Sequence, residues 1–173
     1  ATRDSLTGIA NRSHFYYLAG QELCHAQRMQ RWFAMMVLDL DHFKRINDRW
    51  GQPTGDRALQ AFVGACRQAL REGDILGRIG GEEFAVALPS TSINAAAVIA
   101  ERLRSQVEQV VLEAEDGSFS GFTVSIGIAA WCESVAPPQA VSPDVADLLK
   151  RADAALYRAK AAGRNRIEVA TWV

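Results

Sequence analysis

The sequence of 173 residues lacks several features that would define a specialised class of protein. Its three cysteines, Cys24, Cys66 and Cys132, are far apart and form no Cys-x-x-Cys pair, which argues against a disulfide framework and a zinc site. No apolar run approaches the roughly 18 residues of a membrane span. The sequence contains no G-x-S-x-G, GxxxxGK[ST] or GxGxxG motif, which disfavours a P-loop or Rossmann nucleotide site.

A net charge of one sign is also lacking, since 19 Lys and Arg residues face 20 Asp and Glu residues. This balance removes the main electrostatic argument for duplex DNA or an anionic membrane, so neither is expected as a partner of this domain. Apolar residues make up 49% of the chain, which excludes disorder, and the length fits one domain with its own core. The chain begins at Ala1 without a signal-peptide pattern, so we expect residues 1–173 to be one domain of a longer protein.

Hydrophobic periodicity predicts helices and strands without a strict βαβ rhythm, which favours a mixed α/β fold over a purely parallel sheet. Predicted helices cover residues 13–31, 54–71 and 92–112, and a last helix opens at Ser142-Pro143 and closes at Gly163. Predicted strands are a run buried on both faces at 33–38, a half-buried alternating strand at 122–130 and a short strand at 166–169. A hairpin joins 75–79 to 84–88 through Gly80-Gly81, a favoured two-residue turn because glycine accepts positive φ.

Two acidic pairs at predicted strand ends carry the strongest chemical signal. Asp39 and Asp41 follow a buried strand, and Glu82 and Glu83 stand at the mouth of the second hairpin arm. If these strands are neighbours, the carboxylates converge on one site. Hard cations such as Mg²⁺ take carboxylate oxygens together with substrate phosphates, and two-metal phosphoryl transfer uses this kind of cluster. A solvated strand terminus remains the alternative interpretation of each pair taken alone.

Cationic and amide side chains near these acids suit a nucleotide, although each also has an ordinary structural explanation. Lys44 lies at a helix start, where unpaired backbone N–H groups suit phosphate oxygens. Asn47 and Asp56 can read the edge of guanine, yet Asp56 is equally a favourable acid at a helix N-terminus. Lys160 and Arg164 lie at a helix C-terminus, where they either clamp a polyphosphate or complement the macrodipole.

Six ordered blocks of the sequence resemble the GGDEF family, the bacterial diguanylate cyclases, over almost the whole chain. The central block is the signature Gly80-Gly81-Glu82-Glu83-Phe84, in its GGEEF form. The others are Asp4-Ser-Leu-Thr-Gly-Ile-Ala-Asn-Arg12, Asp39-Leu-Asp-His-Phe-Lys-Arg-Ile-Asn-Asp48, Gly55-Asp56, Thr123-Val-Ser-Ile-Gly127, and Ala152-Asp-Ala-Ala-Leu-Tyr-Arg-Ala-Lys160 with Gly163-Arg-Asn165. The resemblance implies an α/β fold of the α+β type, like the palm of nucleotide cyclases and polymerases, with a central, mostly antiparallel sheet flanked by helices.

The family condenses two GTP into cyclic di-GMP and releases two pyrophosphates, and the resemblance transfers this machinery to matching residues. It implies two Mg²⁺ (or Mn²⁺) ions per active site, held by Asp39, the Leu40 carbonyl and the signature glutamates. Glu83 is assigned mainly to metal and Glu82 mainly to activation of the 3′-hydroxyl, with Lys44 stabilising charge as a third catalytic group. The implied substrate-binding residues are Asn47 and Asp56 for guanine, Lys44, Lys160 and Arg164 for phosphates, and Phe43, Gln52 and Gly81 around them.

Gln52 is one departure from the family, which usually has His at this position in Gly-His-x-x-Gly-Asp. Glutamine keeps the ability to hydrogen-bond but cannot titrate. A second site is implied by Arg71 and Asp74, which match the family's inhibitory Arg-x-x-Asp placed five residues before the signature, and by Arg102, which matches its helper arginine. Without the resemblance, Arg71 and Asp74 are interpreted as a loop ion pair. The resemblance therefore implies inhibition by the product, cyclic di-GMP.

The two-fold symmetry of the product implies that two domains face each other, each holding one GTP, so a homodimer is expected for catalysis. This in turn implies the C-terminal part of a longer sensor protein, cytoplasmic or tethered to the inner membrane through a preceding segment. The rival interpretations are a catalytically silent receptor for GTP or cyclic di-GMP, and an enzyme that makes another cyclic dinucleotide. The intact Asp39, Glu82 and Glu83 favour an enzyme, and Asp56 suits guanine over adenine.

Overall fold

A computed structural model describes residues 1–170, in which helices and strands are mixed along the chain. The helices are α1 (Arg12–Arg28), α2 (Phe43–Trp50), α3 (Gln52–Ala69), α4 (Ile93–Glu108) and α5 (Val145–Ala161). The strands are β1 (Phe33–Leu40), β2 (Ile75–Arg78), β3 (Glu83–Pro89), β4 (Leu112–Glu113), β5 (Phe119–Ser120), β6 (Val124–Trp131) and β7 (Ile167–Val169). Within the described part of the chain, no helix is long and apolar enough to cross a membrane.

A five-stranded sheet in the order β2-β3-β1-β6-β7 forms the centre of the fold. β1 pairs antiparallel with both β3 and β6, β2 pairs antiparallel with β3, and only β7 runs parallel to its neighbour β6. β4 and β5 form a separate two-stranded ribbon that the sequence pattern did not predict. The predicted fold class, a central and mostly antiparallel sheet flanked by helices, is confirmed.

Two apolar layers cover the faces of this sheet, and β1 contributes to both. Met36 and Leu38 point into the core under α3 and α4, whereas Met35 and Val37 point into the core under α1 and α5. This alternation is the ordinary period of a strand, so a continuous apolar run is what a strand covered on both faces requires. Asp39 therefore follows Val37 onto the α1/α5 face at the end of the strand.

The strand predicted at residues 122–130 is present as β6, but the prediction that it is half-buried is wrong, because β6 is buried along its whole length. β6 lies inside the sheet, with α4 against one face and α5 against the other. Large and small side chains alternate along this strand, but both kinds are buried. At Gly127 a Cβ atom would overlap the backbone of Ala152 and Leu156, so the absence of a side chain lets α5 approach β6 closely.

The predicted two-residue Gly80-Gly81 turn is also wrong. The connection between β2 and β3 spans residues 79–82, and neither glycine has a positive φ. The amides of Ile79 and Gly80 both donate to the Glu83 carbonyl, at 2.9 and 3.1 Å. A four-residue connection does not need the mirror-image turn that a two-residue hairpin loop requires.

The start of the last helix differs from its prediction as well. Asp144, and not Ser142-Pro143, caps α5 in a capping box, since Asp147 N donates to the Asp144 carboxylate at 2.8 Å and Asp144 N donates to Asp147 at 3.0 Å. The capping box gives a carboxylate acceptor to two backbone N–H groups at the start of the helix, whereas a serine hydroxyl would accept from one of them. The first helix is capped by Asn11, whose side chain accepts from His14 N at 3.0 Å.

Candidate active site

The ends of β1 and β3 place two acidic residues side by side. Asp39 is the register partner of Glu83 across the antiparallel pair, and both side chains lie on the α1/α5 face of the sheet. Lys160, near the end of α5, brings its ammonium Nζ to 3.2 Å from Asp39 Oδ1. The structure thus brings together three residues that stand far apart in the sequence.

Asp39 is an unusually poorly solvated carboxylate for a strand end. Burial raises its pKa, an effect that Lys160 opposes and that the charges of Glu82 and Asp41 reinforce. Its Oδ1 is buried and accepts no hydrogen bond of good geometry among the described residues, so the Lys160 ammonium is its main compensation. A buried oxygen with this much unused acceptor capacity is suited to a cation.

The two signature glutamates have different surroundings. Glu83 opens β3, and its pKa is raised by burial first and then by the nearby carboxylates of Asp153 and Asp39. Glu82 precedes the strand, and its backbone carbonyl accepts from Leu40 N at 3.3 Å. Glu83 is therefore tied to Asp39 by sheet register, whereas Glu82 stands at the open end of the hairpin.

Asp41 has a structural role that the sequence pair did not reveal. It is only 3% exposed, and its carboxylate accepts from Thr123 Oγ1 and Ser125 Oγ, both at 2.7 Å, and from Asn165 N at 3.0 Å. Lys160 Nζ lies 3.6 Å away. These bonds use most of its acceptor capacity, so Asp41 ties β6 and the loop after α5 to the end of β1.

The donor set fits a hard divalent cation that is completed by a substrate. Asp39 and Glu83 offer carboxylate oxygens, with Glu82 and the Leu40 backbone close by, which are the ligand types that Mg²⁺ and Mn²⁺ prefer. Across residues 1–170, no three His, Cys, Asp or Glu side chains converge to hold a metal ion by themselves. Mg²⁺ commonly binds one or two protein carboxylates together with nucleotide phosphates, so an incomplete protein shell agrees with such a site.

A short helix begins directly beyond these acids. α2 starts at Phe43, and the residue before it, His42, adopts a left-handed φ of 55° and gives no side-chain cap to the described helix. Uncapped amides at a helix start attract anions. Lys44 in the first turn is highly exposed and pairs with Asp48 at 3.2 Å, so its amine is free to move to another anion at little cost.

A pocket of about 390 Å³ lies between α2, α3 and the signature turn. Most of its lining had been predicted as substrate-binding: Phe43, Asn47, Gln52, Asp56 and Gly81. Leu59 and Arg78 complete the lining and were not predicted. The volume lies in the usual range for small-molecule sites, and its mixture of one aromatic ring, amides and a carboxylate suits a polar heterocycle.

Asn47 is held in this pocket by the glycine opposite it. A Cβ on Gly55 would overlap the Asn47 side chain, so only glycine at this position lets the two helices place the amide there. Asn47 Oδ1 is buried and has no hydrogen-bond partner among the described residues. Because Asn47 also lines the pocket, its amide has hydrogen-bonding capacity left for a ligand placed there.

Arg78 supports the signature turn in a way that local sequence does not predict. Its guanidinium donates to the Gly81 carbonyl at 2.8 and 3.0 Å and pairs with Asp4 at 3.2 Å. Asp4 also accepts from Thr7 N and Oγ1. Asp4 and Arg78 are 74 positions apart, so no short-range pattern links them.

The Arg-x-x-Asp segment lies at the opposite end of β2 from the signature turn, about 13 Å away at the usual rise per residue. The Asp74 side chain is 1% exposed and accepts from Arg71 N at 2.8 Å and Nη2 at 3.0 Å. Both residues line a cleft of about 600 Å³, whereas Arg102, also among the described residues, lies outside that lining. Arg102 Nη2 donates to the Ala69 carbonyl at 2.6 Å, which places it at the end of α3, close to Arg71.

Three comparisons with known proteins agree with one another. The family model described as "Diguanylate cyclase, GGDEF domain" matches residues 1–166. The chain is 42% identical to diguanylate cyclase DgcP of Pseudomonas aeruginosa over 98% of this chain and 24% of DgcP. It is 36% identical to the probable diguanylate cyclase DgcT of Escherichia coli over 98% of this chain and 36% of DgcT. The chain thus spans about a quarter to a third of the length of these curated relatives.

Solved structures match as well. The GGDEF domain of DgcB from Caulobacter crescentus, in complex with c-di-GMP, superposes with a TM-score of 0.88 at 31% identity, covering 97% of this chain and 92% of that one. The active GGEEF domain of a diguanylate cyclase from Vibrio cholerae superposes with a TM-score of 0.83 at 27% identity, covering 94% of this chain and 98% of that one. The architecture and the near-complete coverage are therefore shared with both.

Proposed function

Since the chain belongs to the GGDEF family of diguanylate cyclases, we propose that it joins two GTP molecules into cyclic di-GMP and releases two pyrophosphates. One observation carries this proposal: the Asp39–Glu83 pair at the strand ends lies beside a pocket lined by Asn47 and Asp56. The pair can hold the reacting phosphate end of a nucleotide through a cation, and the pocket can hold its base. A receptor needs the pocket but has no use for two poorly solvated carboxylates.

Guanine recognition follows from the chemistry of the pocket. The Asp56 carboxylate accepts from two adjacent donors, such as N1–H and N2–H₂ of guanine, whereas adenine presents an acceptor at N1. Asn47 has a free buried acceptor and can also donate, so it suits the same base. The Phe43 ring lines the pocket and offers a flat apolar surface for the purine.

Each condensation step transfers a nucleotidyl group. The 3′-hydroxyl of one GTP attacks the α-phosphorus of the other, a new P–O3′ bond forms, the α–β P–O bond breaks and pyrophosphate leaves. Glu82, at the open end of the hairpin, accepts the hydroxyl proton. Lys44, Lys160 and Arg164 offset the charge on the departing pyrophosphate. A second, symmetry-related step closes the ring.

Cyclases of this family are generally metal-dependent, and the acidic cluster of this chain suits two Mg²⁺ or Mn²⁺ ions per site. Asp39, Glu83 and the Leu40 carbonyl would hold them, with a contribution from Glu82. The bound cations would supply charge stabilisation of the triphosphate and acidify the 3′-hydroxyl. Lys160 neutralises Asp39 in this structure and can turn to the phosphates when a cation takes its place.

The base pocket and the acidic cluster described in residues 1–170 can hold one GTP, whereas the product contains two guanylyl units. We therefore propose a homodimer in which two domains face each other, each holding one GTP. We also propose that residues 1–173 are a single catalytic domain in the C-terminal part of a longer sensor protein that works in the cytoplasm or at the inner membrane.

The proposed function is tested by incubating the chain, fused to a dimerising coiled coil, with GTP and Mg²⁺. We expect cyclic di-GMP and pyrophosphate in a ratio of about 1:2, as the stoichiometry of the reaction demands. GTP or cyclic di-GMP binding without turnover would establish the receptor interpretation instead. Turnover of ATP in preference to GTP would contradict the role proposed for Asp56.

Gly55→Ala is expected to raise the KM for GTP about tenfold, with a smaller effect on kcat, because the new Cβ displaces Asn47 from the base pocket. In most helix interiors Gly→Ala stabilises by up to about 1 kcal/mol. Gly64→Ala on the same helix is the matched control, since a Cβ added at this position would have no atom within 4 Å. Steady-state kinetics and thermal unfolding of both variants check the prediction, and an unchanged KM in Gly55→Ala would contradict it.

Arg71→Ala is expected to raise the concentration of cyclic di-GMP needed for half-inhibition at least tenfold, because the guanidinium that can grip the product phosphate is lost. The initial rate without product should stay close to that of the parent, because the substitution lies at the far end of β2 from the signature turn. Glu72→Ala, at an exposed position in the same turn, is the control. Inhibition of Arg71→Ala as strong as that of the parent would show that this segment is only a loop ion pair.

A further inference from the structure

The loop after α5 has an unusual backbone. Gly163, Arg164 and Asn165 have φ values of 120°, 65° and 48° in succession, so two non-glycine residues adopt the left-handed region. Such residues are uncommon, and they persist only where surrounding contacts hold them. The contacts of Asn165 therefore determine where the neighbouring Arg164 stands.

Asn165 is held from two sides. Its backbone N donates to Asp41 Oδ2 at 3.0 Å, which ties the loop to the end of β1. Its side-chain Oδ1 accepts from Arg104 Nη1 at 2.8 Å, and its Nδ2 donates to Glu108 Oε2. Arg104 and Glu108 both belong to α4, so this helix fixes the loop through a single amide.

Arg104 is well placed for this task because its own position is fixed. Its side chain is 16% exposed and also pairs with Glu101 at 2.6 Å and Glu108 at 3.5 Å. A guanidinium presents donors in a rigid fork, so its partners restrict its orientation. The hydrogen bond from Arg104 to Asn165 thus holds the loop in a fixed position relative to α4.

The loop keeps Arg164 near the start of α2. Asn165 N donates to Asp41 Oδ2 at 3.0 Å, and Asp41 stands two positions before Phe43, the first residue of α2. Arg164, the residue before Asn165, is therefore held close to the start of this helix. The α2 amides and Lys44 lie at the same place. A displaced loop would remove one cation from this group.

We propose that Arg104 is a positioning residue for triphosphate recognition, acting through Asn165 on Arg164. The inference rests on the proposed function, because it requires Arg164 to face the phosphates of the nucleotide. Arg104 contacts the loop and not the substrate, so its removal affects the recognition of phosphates and leaves the recognition of the base unchanged.

The test compares the binding of a non-reacting GTP analogue, bridged by a methylene between the α- and β-phosphates, with the binding of GMP, in the presence of Mg²⁺. Arg104→Met is expected to weaken binding of the triphosphate about tenfold, by about 1.4 kcal/mol, and to leave GMP binding within a factor of about two. Asn165→Ala is expected to give the same pattern. Arg28→Met is the matched control, because Arg28 is an exposed arginine of α1 and takes no part in the contacts that hold the loop.

The outcomes are distinguishable. If Arg104→Met and Asn165→Ala keep the parent's preference for triphosphate over GMP, the positioning role is wrong while the proposed function stands. An equal loss for both nucleotides would mean general structural damage and would also overturn the inference. If the parent itself shows no such preference, the phosphate role of Arg164 fails, and the inference fails with it.

Discussion

Glu83→Gln is expected to abolish turnover, by at least about 10²–10³-fold, and at the same time to raise the thermal stability of the domain. The loss follows because an amide offers one oxygen and no charge where the cation and the transition state require a carboxylate. The gain follows because Glu83 is a charge in an unfavourable place, close to Asp153 and Asp39. Activity assays together with thermal unfolding at neutral pH measure both effects.

The same substitution has a defined pH dependence. The pKa of Glu83 is raised in the folded state above its ordinary value of 4.5, so the folded state binds the proton more tightly than the unfolded state. The stability this group contributes is present at a pH below 4.5 and is lost as the pH rises through the raised folded pKa. The difference in melting temperature between Glu83→Gln and the parent should therefore grow as the pH rises through this window.

A matched surface substitution separates this effect from a general change of net charge. Glu115→Gln removes one carboxylate at an exposed position, and it should change neither turnover nor the pH profile of stability. A Glu83→Gln variant that is less stable than the parent at neutral pH would contradict the electrostatic account of the site. A variant that keeps its turnover would contradict the role of the residue.

A heterodimer in which only one chain carries Glu82 is expected to make a different product from the parent homodimer. If each chain provides half of an active site, a heterodimer of the parent with Glu82→Gln retains one hydroxyl that can be activated. That half can attack the partner's α-phosphorus once, which gives the linear dinucleotide pppGpG and one pyrophosphate. Ring closure then requires the intermediate to leave and rebind in the opposite orientation. The linear product should therefore accumulate, whereas the parent homodimer should release little of it.

The sequence predicted those parts of the site that depend on short-range patterns. A buried strand that ends in acids and a hairpin arm that begins with acids lie where the pattern placed them, whereas several helix ends, including the start of α5, lie elsewhere. We expected Asp39 and Glu83 to converge only if β1 and β3 were neighbouring strands. The two strands do pair, and Asp39 lies directly opposite Glu83. The roles of the individual residues in the reaction remain predictions.

Features that depend on long-range contacts were missed. The Asp39-x-Asp41 pair looks symmetrical in the sequence, yet Asp41 is a buried anchor because its partners Thr123, Ser125 and Asn165 come from distant segments. The Asp4–Arg78 pair that supports the signature turn is invisible for the same reason. Charge and spacing show which side chains are available, whereas tertiary contacts decide which of them are already saturated.

Whether each chain supplies half of the active site is decided by the products that a linked heterodimer of parent and Glu82→Gln chains forms from GTP and Mg²⁺. We expect accumulation of pppGpG with slow conversion to cyclic di-GMP, no product from the Glu82→Gln homodimer, and rapid cyclic di-GMP formation by the parent homodimer. Cyclic di-GMP formed by the heterodimer at half the parent rate or more, without pppGpG, would show that one chain completes both steps. That result would contradict the assignment of half an active site to each domain.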